Sequence, residues 1–214
     1  MKTSDILIIG GGIAGMSAAY FLAKRGKSVT VLEREDQPGY HSTGRSAALY
    51  SETYGPKIIR KMSTASRDFF LNPPEGFTEN PILTPRGVIL TAAHGNEGAI
   101  GELLTEGRAN GANVVALTAD DIKKLIPILN TDLIACGALE TDAMDIDVHA
   151  LHWGFIRHFK KLGGDLVVKA DVTAIAKTAT GWQVTAGGET YEAQILVNAS
   201  GAWADEIAKL AGVT

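Results

Sequence analysis

One run constrains this chain more than any other: DILIIGGGIAGMSAAYFLAKRGKSVTVLER, residues 5–34. Ile6 to Ile9 is an unbroken apolar run, the pattern of a strand buried on both faces of a parallel sheet. Ile13 to Lys24 consists of helix formers, with Ala18, Ala19, Phe21 and Leu22 as its apolar face, and Gly26 stands where a left-handed cap would end the helix. Val29 to Leu32 reads as the next strand, so the segment is a right-handed βαβ unit. Between strand and helix, Gly10-Gly11-Gly12-Ile13-Ala14-Gly15 matches G-x-G-x-x-G in the context that gives the pattern meaning. Gly10 permits the tight turn, Gly12 lets the backbone approach a pyrophosphate, and Gly15 lets helix and strand pack closely. The helix N-terminus then offers free N–H groups and partial positive charge to the phosphates. Glu33 ends the second strand, placed to accept hydrogen bonds from a ribose.

This unit implies an ADP-containing ligand and does not by itself distinguish a nicotinamide from a flavin dinucleotide. Two later stretches favour FAD. HSTGRSAALY, residues 41–50, is a polar loop leaving the same sheet edge. Ser42, Thr43 and Ser46 offer hydroxyls, Gly44 allows close backbone approach, and Ala47 and Ala48 leave room for a flat ring. An NAD site needs no such wrap. In ILVNASGAW a strand ends in Asn198, Ala199, Ser200 and Gly201, small enough to approach a cofactor phosphate. Such turns also serve packing alone.

The rest of the 214 residues is consistent with an α/β protein, 45% apolar and 21% charged, with a net charge of −4. That mild acidity gives no electrostatic footprint for nucleic acid. No apolar run is long enough to span a bilayer. ILIIGGGIAG is not read as a signal segment, because Asp5 precedes it and glycines interrupt it. A single cysteine, Cys136, excludes an internal disulfide, is read as a small buried apolar residue, and points to a reducing, cytoplasmic setting.

Residues 55–145 are less regular. Strand character falls at 87–92 and helical character at 96–109 and 118–126, the latter with Thr118 as N-cap. Asp147 to Leu162 is a clearer helix, capped by Asp147, with Val148, Leu151, Phe155, Phe159 and Leu162 on one face and Gly163-Gly164 as its stop. Short strands at Leu166–Lys169, Val172–Lys177, Trp182–Thr185 and Thr190–Ala193 read as a β-meander feeding a final strand, turn and helix.

GGGIAG, LERE, GYHSTGRSAALY, ASRDFF, NPPEGF and VNASGAWADEIAKLAGV resemble the FAD-dependent D-amino acid oxidase superfamily, and the 37–86 stretch is most similar to its bacterial D-arginine dehydrogenase type. The resemblance covers essentially the whole chain. It implies an α/β fold: a Rossmann-like FAD-binding domain from 1–54 and 143–214 with an inserted β-meander, plus part of an α+β substrate domain at 55–142. It implies that Gly10, Gly12, Ile13, Ala14 and Gly15 hold the pyrophosphate of FAD, with Glu33 and Arg34 at the adenosine. His41, Ser42, Thr43, Gly44, Arg45, Ser46, Ala47 and Ala48 would follow the diphosphate, ribityl chain and flavin. Val172 would meet adenine through its backbone, Ala199 and Gly201 would approach the cofactor, and Tyr54 would line the substrate pocket. The implied activity is oxidative deamination of a D-amino acid to a 2-oxo acid and ammonia, by hydride transfer from Cα, with an unidentified electron acceptor.

The chain departs from the D-arginine type in two places: Leu49 stands for a histidine and Val88 for a carboxylate that pairs with a cationic substrate. An unpartnered buried cation is costly, so uncharged or apolar side chains are expected to be preferred. The family's chains also continue beyond this length, and the remainder supplies the arginines that clamp the substrate carboxylate. This segment alone is therefore expected to be inactive. Two other classes stay open: a sarcosine, glycine or 2-hydroxyacid enzyme of the same superfamily, and a non-catalytic dinucleotide-binding module. His149 and His152 are read as helix-surface and packing residues rather than metal ligands. His94 and His158 are read as solvent-facing, and Trp153, Trp182 and Trp203 as core or sheet-covering residues.

Overall fold

The computed structural model describes residues 2–213. Chain order begins with β1 (Lys2–Ile9), α1 (Ile13–Lys24), β2 (Val29–Leu32), β3 (Leu49–Tyr50) and α2 (Lys57–Leu71). Next come β4 (Leu83–Pro85), β5 (Val88–Ala92), α3 (Glu97–Ala109), β6 (Val114–Thr118) and α4 (Ala119–Leu125). Then follow β7 (Cys136–Glu140), β8 (Met144–Ile146), α5 (Val148–Lys161) and β9 (Asp165–Val167). β10 (Val172–Lys177), β11 (Trp182–Ala186), β12 (Glu189–Asn198) and α6 (Ala204–Leu210) complete it. Two compact units emerge: Met1–Ala47 with Glu75–Asn80 and Val148–Thr214, and Ala48–Pro74 with Pro81–Asp147.

The first unit is built on a six-stranded sheet in the order β10-β11-β12-β1-β2-β9. β1 pairs in parallel with β12 on one side and β2 on the other. Leu7, Ile8 and Val31 are fully buried, as a doubly covered parallel sheet requires. Both helix stops expected from glycine are present and have the same chemistry. At the end of α1, Gly26 takes φ +77°, its N–H reaches the Ala23 carbonyl, and the Lys27 N–H reaches Leu22. At the end of α5, Gly163 takes φ +82°, and the Gly163 and Gly164 N–H groups reach Lys160 and Phe159. These paired bonds satisfy carbonyls that a helix end otherwise orphans.

The meander differs from its sequence pattern. β9 does not join it; it pairs in parallel with β2 at the far edge of the sheet. Thr190–Ala193 is not a separate strand either. It is the first half of the ten-residue β12, which pairs with β11 near its start and with β1 along nearly its whole length. Alternation and turns reveal that a strand exists, whereas its partner depends on where the chain returns.

In the second unit, β7 lies between β5 and β6, and β8 lies between β3 and β4, all antiparallel. The N-cap expected at Thr118 is present: its hydroxyl accepts from the Asp121 N–H at 3.2 Å, and the Asp121 carboxylate accepts from the Thr118 N–H. α2 goes beyond the sequence expectations, although Ile58, Met62, Ala65 and Phe69 recur at helical spacing. Cys136 is half-buried rather than buried.

Candidate functional site

Four strand ends, those of β1, β2, β9 and β12, meet in the first unit. The Gly10 N–H bonds the Leu32 carbonyl at 2.8 Å, the Ala199 N–H bonds the Ile9 carbonyl at 2.8 Å, and the Glu33 N–H bonds the Val167 carbonyl at 2.8 Å. The chain leaves β1 toward β2 on one side while β12 lies on the other. A crevice therefore opens at the carboxyl ends of the strands, at a topological switch point. It holds a cavity of about 310 Å³, in the range of small-molecule sites.

Gly10, Gly12, Glu33, Arg34, His41, Ser42, Thr43, Val172, Ala199 and Gly201 all line this cavity. Ile13, Ala14, Gly15, Gly44, Arg45, Ser46 and Ala47 belong to the same unit but are not part of its wall. Ala48, Leu49, Tyr54 and Val88 belong to the second unit, where the Tyr54 side chain is exposed. Arg45 sits over the Tyr40 ring at 5.0 Å, a role in loop structure.

The amides at the glycine turn are not all free, in contrast to the simple helix-terminus expectation. Gly12 is the N-cap of α1 and has no side chain with which to cap it. Thr43 does so from the loop after β2, its Oγ1 accepting from the Ile13 N–H at 3.0 Å. Its own O–H remains available to donate into the cavity. The first turn of α1 carries no acidic residue, which leaves the positive helix end to an anionic ligand. The Gly11 N–H donates to Glu33 Oε2 at 2.8 Å, and the Glu35 N–H donates to Glu33 Oε1 at 2.9 Å. A carboxylate offers about four acceptor positions, so Glu33 keeps capacity for further donors such as ribose hydroxyls.

Trp203 takes a role that the sequence pattern does not predict. Trp203 does not simply cover the sheet. It lines the cavity, with the Arg34 guanidinium 4.2 Å from its ring centre and the His41 ring at 4.6 Å. His41 Nε2 is 2.8 Å from Glu35 Oε1, and Arg34 pairs with the same oxygen at 3.3 Å. The hydrogen bond with His41 is the largest influence and holds the Glu35 carboxyl below its ordinary range; burial opposes it, and Arg34 adds a weaker effect in the same direction as His41. The signal for Trp203 was its place two residues after Gly201 in a turn already assigned to the cofactor.

Of the His149 and His152 pair, expected as helix-surface and packing residues, His152 is the one that packs. It is 3% exposed, and its Nε2 lies 2.8 Å from the Gly11 carbonyl, which buttresses the glycine turn from behind. His158 is half-buried beside the rings of Tyr20 and Phe77, while His149 and His94 are exposed as expected. No cluster of potential metal ligands occurs among the described residues.

Burial, the largest influence, pushes the His152 pKa below its ordinary 6.5, with the Gly11 hydrogen bond opposing. The unfolded chain therefore binds a proton that the folded chain resists. Stability associated with His152 is complete above about pH 6.5 and is lost as pH falls below it. Thermal unfolding of the protein and of His152→Gln at pH 7, 6 and 5 checks this. The parent is expected to lose more Tm on acidification than the variant, whose amide can still donate to Gly11. Parallel curves would exclude His152 as the titrating group.

The FAD dependent oxidoreductase family, DAO, matches residues 5–214. The chain belongs to that family. Its cofactor is FAD, and the donors, glycine turn and spare carboxylate positions described above fit that group. Among curated relatives, FAD-dependent oxidoreductase domain-containing protein 1 of Bos taurus is 27% identical over 244 residues, covering 99% of this chain and 50% of that protein. Glycine oxidase of Bacillus licheniformis is 28% identical over 218 residues, covering 99% of this chain and 58% of the enzyme. Among solved structures, glycine oxidase from Geobacillus kaustophilus superposes with a TM-score of 0.86 at 22% identity, over all of this chain and 60% of that one. This DAO-family chain thus spans between half and three-fifths of the length of these relatives. No described helix is long and apolar enough to cross a membrane.

Proposed function

We propose that this chain carries the FAD-binding part of an enzyme that oxidises the Cα–N bond of D-amino acids with apolar or uncharged side chains. The observation that carries the reading is the strand-end cavity with its glycine turn, Thr43 cap and Glu33 carboxylate in a DAO-family chain. Gly10, Gly12 and the start of α1 would receive the diphosphate, with Ser42 and Thr43 donating to it. Glu33 would accept from the adenosine ribose, and Val172 and Trp203 would supply the wall beside the base. FAD, when bound, supplies the acceptor for the hydride that leaves Cα. The amine must then be neutral, its second proton passes to solvent, and water converts the resulting imine to a 2-oxo acid and ammonia. The chain's task is to orient the cofactor and exclude water.

Tyr54, Leu49 and Val88 are proposed as substrate contacts. The apolar character of Leu49 and Val88 supports discrimination against cations, because an unpaired buried charge costs several kcal/mol in order of magnitude. A second reading, oxidation of glycine or an N-methylated glycine, draws support from the glycine oxidase relative.

The test is turnover by the protein in its natural length with an artificial electron acceptor. The panel is D-leucine, D-methionine, D-arginine, D-lysine, glycine and sarcosine. We expect kcat/KM for D-leucine or D-methionine to exceed that for D-arginine by about 100-fold, the effect of roughly 2.7 kcal/mol. Highest kcat/KM for D-arginine would refute the proposed preference, and best turnover of glycine or sarcosine would establish the second reading. Bound flavin with no turnover of any of these would reduce the chain to a binding module.

A further inference from the structure

The second unit contains a buried carboxylate that no step above uses. Glu140, at the end of β7, is 1% exposed. Its Oε1 accepts from the Glu52 N–H at 2.8 Å, and its Oε2 accepts from the Ser51 hydroxyl at 2.7 Å and the Thr53 hydroxyl at 2.5 Å. Every one of these donors lies in the short stretch between β3 and α2. That stretch has no ladder of its own, and the carboxylate gathers three of its donors, while the Glu52 side chain is held separately by Tyr50 and Arg67. The Ser51 hydroxyl in turn accepts from the Thr53 and Tyr54 N–H groups at 3.3 and 3.2 Å. Tyr54 follows at once, its backbone N–H held and the residue as a whole 72% exposed.

Glu140 also stands directly opposite Val88 in the β5–β7 ladder and opposite Val114 in the β6–β7 ladder. Directly paired residues in an antiparallel ladder share a face. One buried side chain thus joins the loop carrying Tyr54 to the strand carrying Val88. A surface acid would leave that loop to find its own conformation. A buried one, whose desolvation must be offset by close donors, holds it in a single arrangement.

We propose that Glu140 is a positioning residue: it sets the Ser51–Tyr54 loop relative to Val88, and so sets the spacing of two substrate contacts. This rests on the reading of Tyr54 and Val88 given above.

The experiment compares the natural-length holoenzyme with its Glu140→Gln and Tyr54→Phe variants. Gln keeps size and one acceptor oxygen but presents an NH2 group where a second acceptor stood. Expected for Glu140→Gln are amide hydrogen exchange at 51–54 faster by about tenfold and KM for D-leucine raised by about tenfold, the effect of losing one hydrogen bond of average strength. The kcat and the Kd for FAD should stay within about threefold of the parent. Unchanged exchange would overturn the clamp. Faster exchange with unchanged KM, while Tyr54→Phe does raise KM, would make Glu140 merely structural and overturn the positioning role. If Tyr54→Phe leaves KM unchanged, the assignment of Tyr54 as a substrate contact fails, while the exchange result still decides the clamp. Should the Gln chain not fold, Glu140→Asp, which keeps the charge but retracts it by one methylene, is expected to give the same pattern.

Discussion

Gly10→Ala is expected to remove both bound flavin and a large part of the protein's stability. Gly10 has φ +110°, a conformation closed to side chains, and a Cβ there would overlap the Ala199 carbonyl oxygen. Neither partner can yield, because Gly10 is bonded to Leu32 and Ala199 to Ile9, each at 2.8 Å. The overlap is backbone against backbone at the junction of β1 and β12. Backbone strain and overpacking together place the cost at about 4 kcal/mol or more. For a chain of this size that lowers Tm by about 10 °C or prevents recovery of folded protein. Gly26→Ala is the control. Its φ is +77°, but nothing lies within 4 Å of the new Cβ, so the loss should be about 1 kcal/mol with flavin retained. Differential scanning fluorimetry and the flavin absorbance of the purified proteins check both. A Gly10→Ala protein with parental Tm and full flavin would contradict the geometry of the strand end.

Glu33→Gln and Glu33→Ala are expected to weaken FAD binding by about 100-fold and more than 100-fold respectively, from loss of charge-assisted hydrogen bonds worth roughly 1.5–3 kcal/mol each. The carboxylate has two duties. It satisfies the buried N–H of Gly11 and that of Glu35, and its remaining acceptor positions face the cavity. Gln retains one oxygen, so one of the two amides meets an NH2 group. Ala leaves both without their partner and should also lower Tm. Flavin fluorescence titration gives the Kd. FMN, which lacks the adenosine, should bind the parent and both variants equally weakly. A Kd for FAD unchanged in Glu33→Ala would remove Glu33 from the site.

Legibility followed the range of the interactions. The β1–α1–β2 segment, the glycine stops after α1 and α5 and the Thr118 cap involve neighbours within a turn or two, and each stands where its residues suggested. Ten of the residues named for the cofactor wall line one cavity: small or hydroxyl side chains mark Gly10, Gly12, Ser42, Thr43, Ala199 and Gly201, Glu33 stands at a strand end, and Arg34, His41 and Val172 follow from the family resemblance alone. His152 was not legible in that way. Its partner is Gly11, 141 positions away, and on a helix pattern it reads as one more polar position. Glu140 is the same case, an acid at the end of an ordinary strand until Ser51, Glu52 and Thr53 fold over it. β9 reads as a strand from its residues, but its parallel partner β2 lies far outside the local pattern that suggests a meander.

Residues 5–34 on their own carry the local grammar: a strand, a glycine turn that only a backbone without side chains can make, a helix, and an acid at the next strand end. Those follow from sterics and capping within a few residues, and they suffice to name the dinucleotide site. Long-range packing sets which strand lies beside β2, brings the Thr43 hydroxyl to the start of α1, and buries His152 and Glu140. The reason is that burial turns a polar side chain from a solvated bystander into a group that must find a partner, and burial is a property of the packed chain.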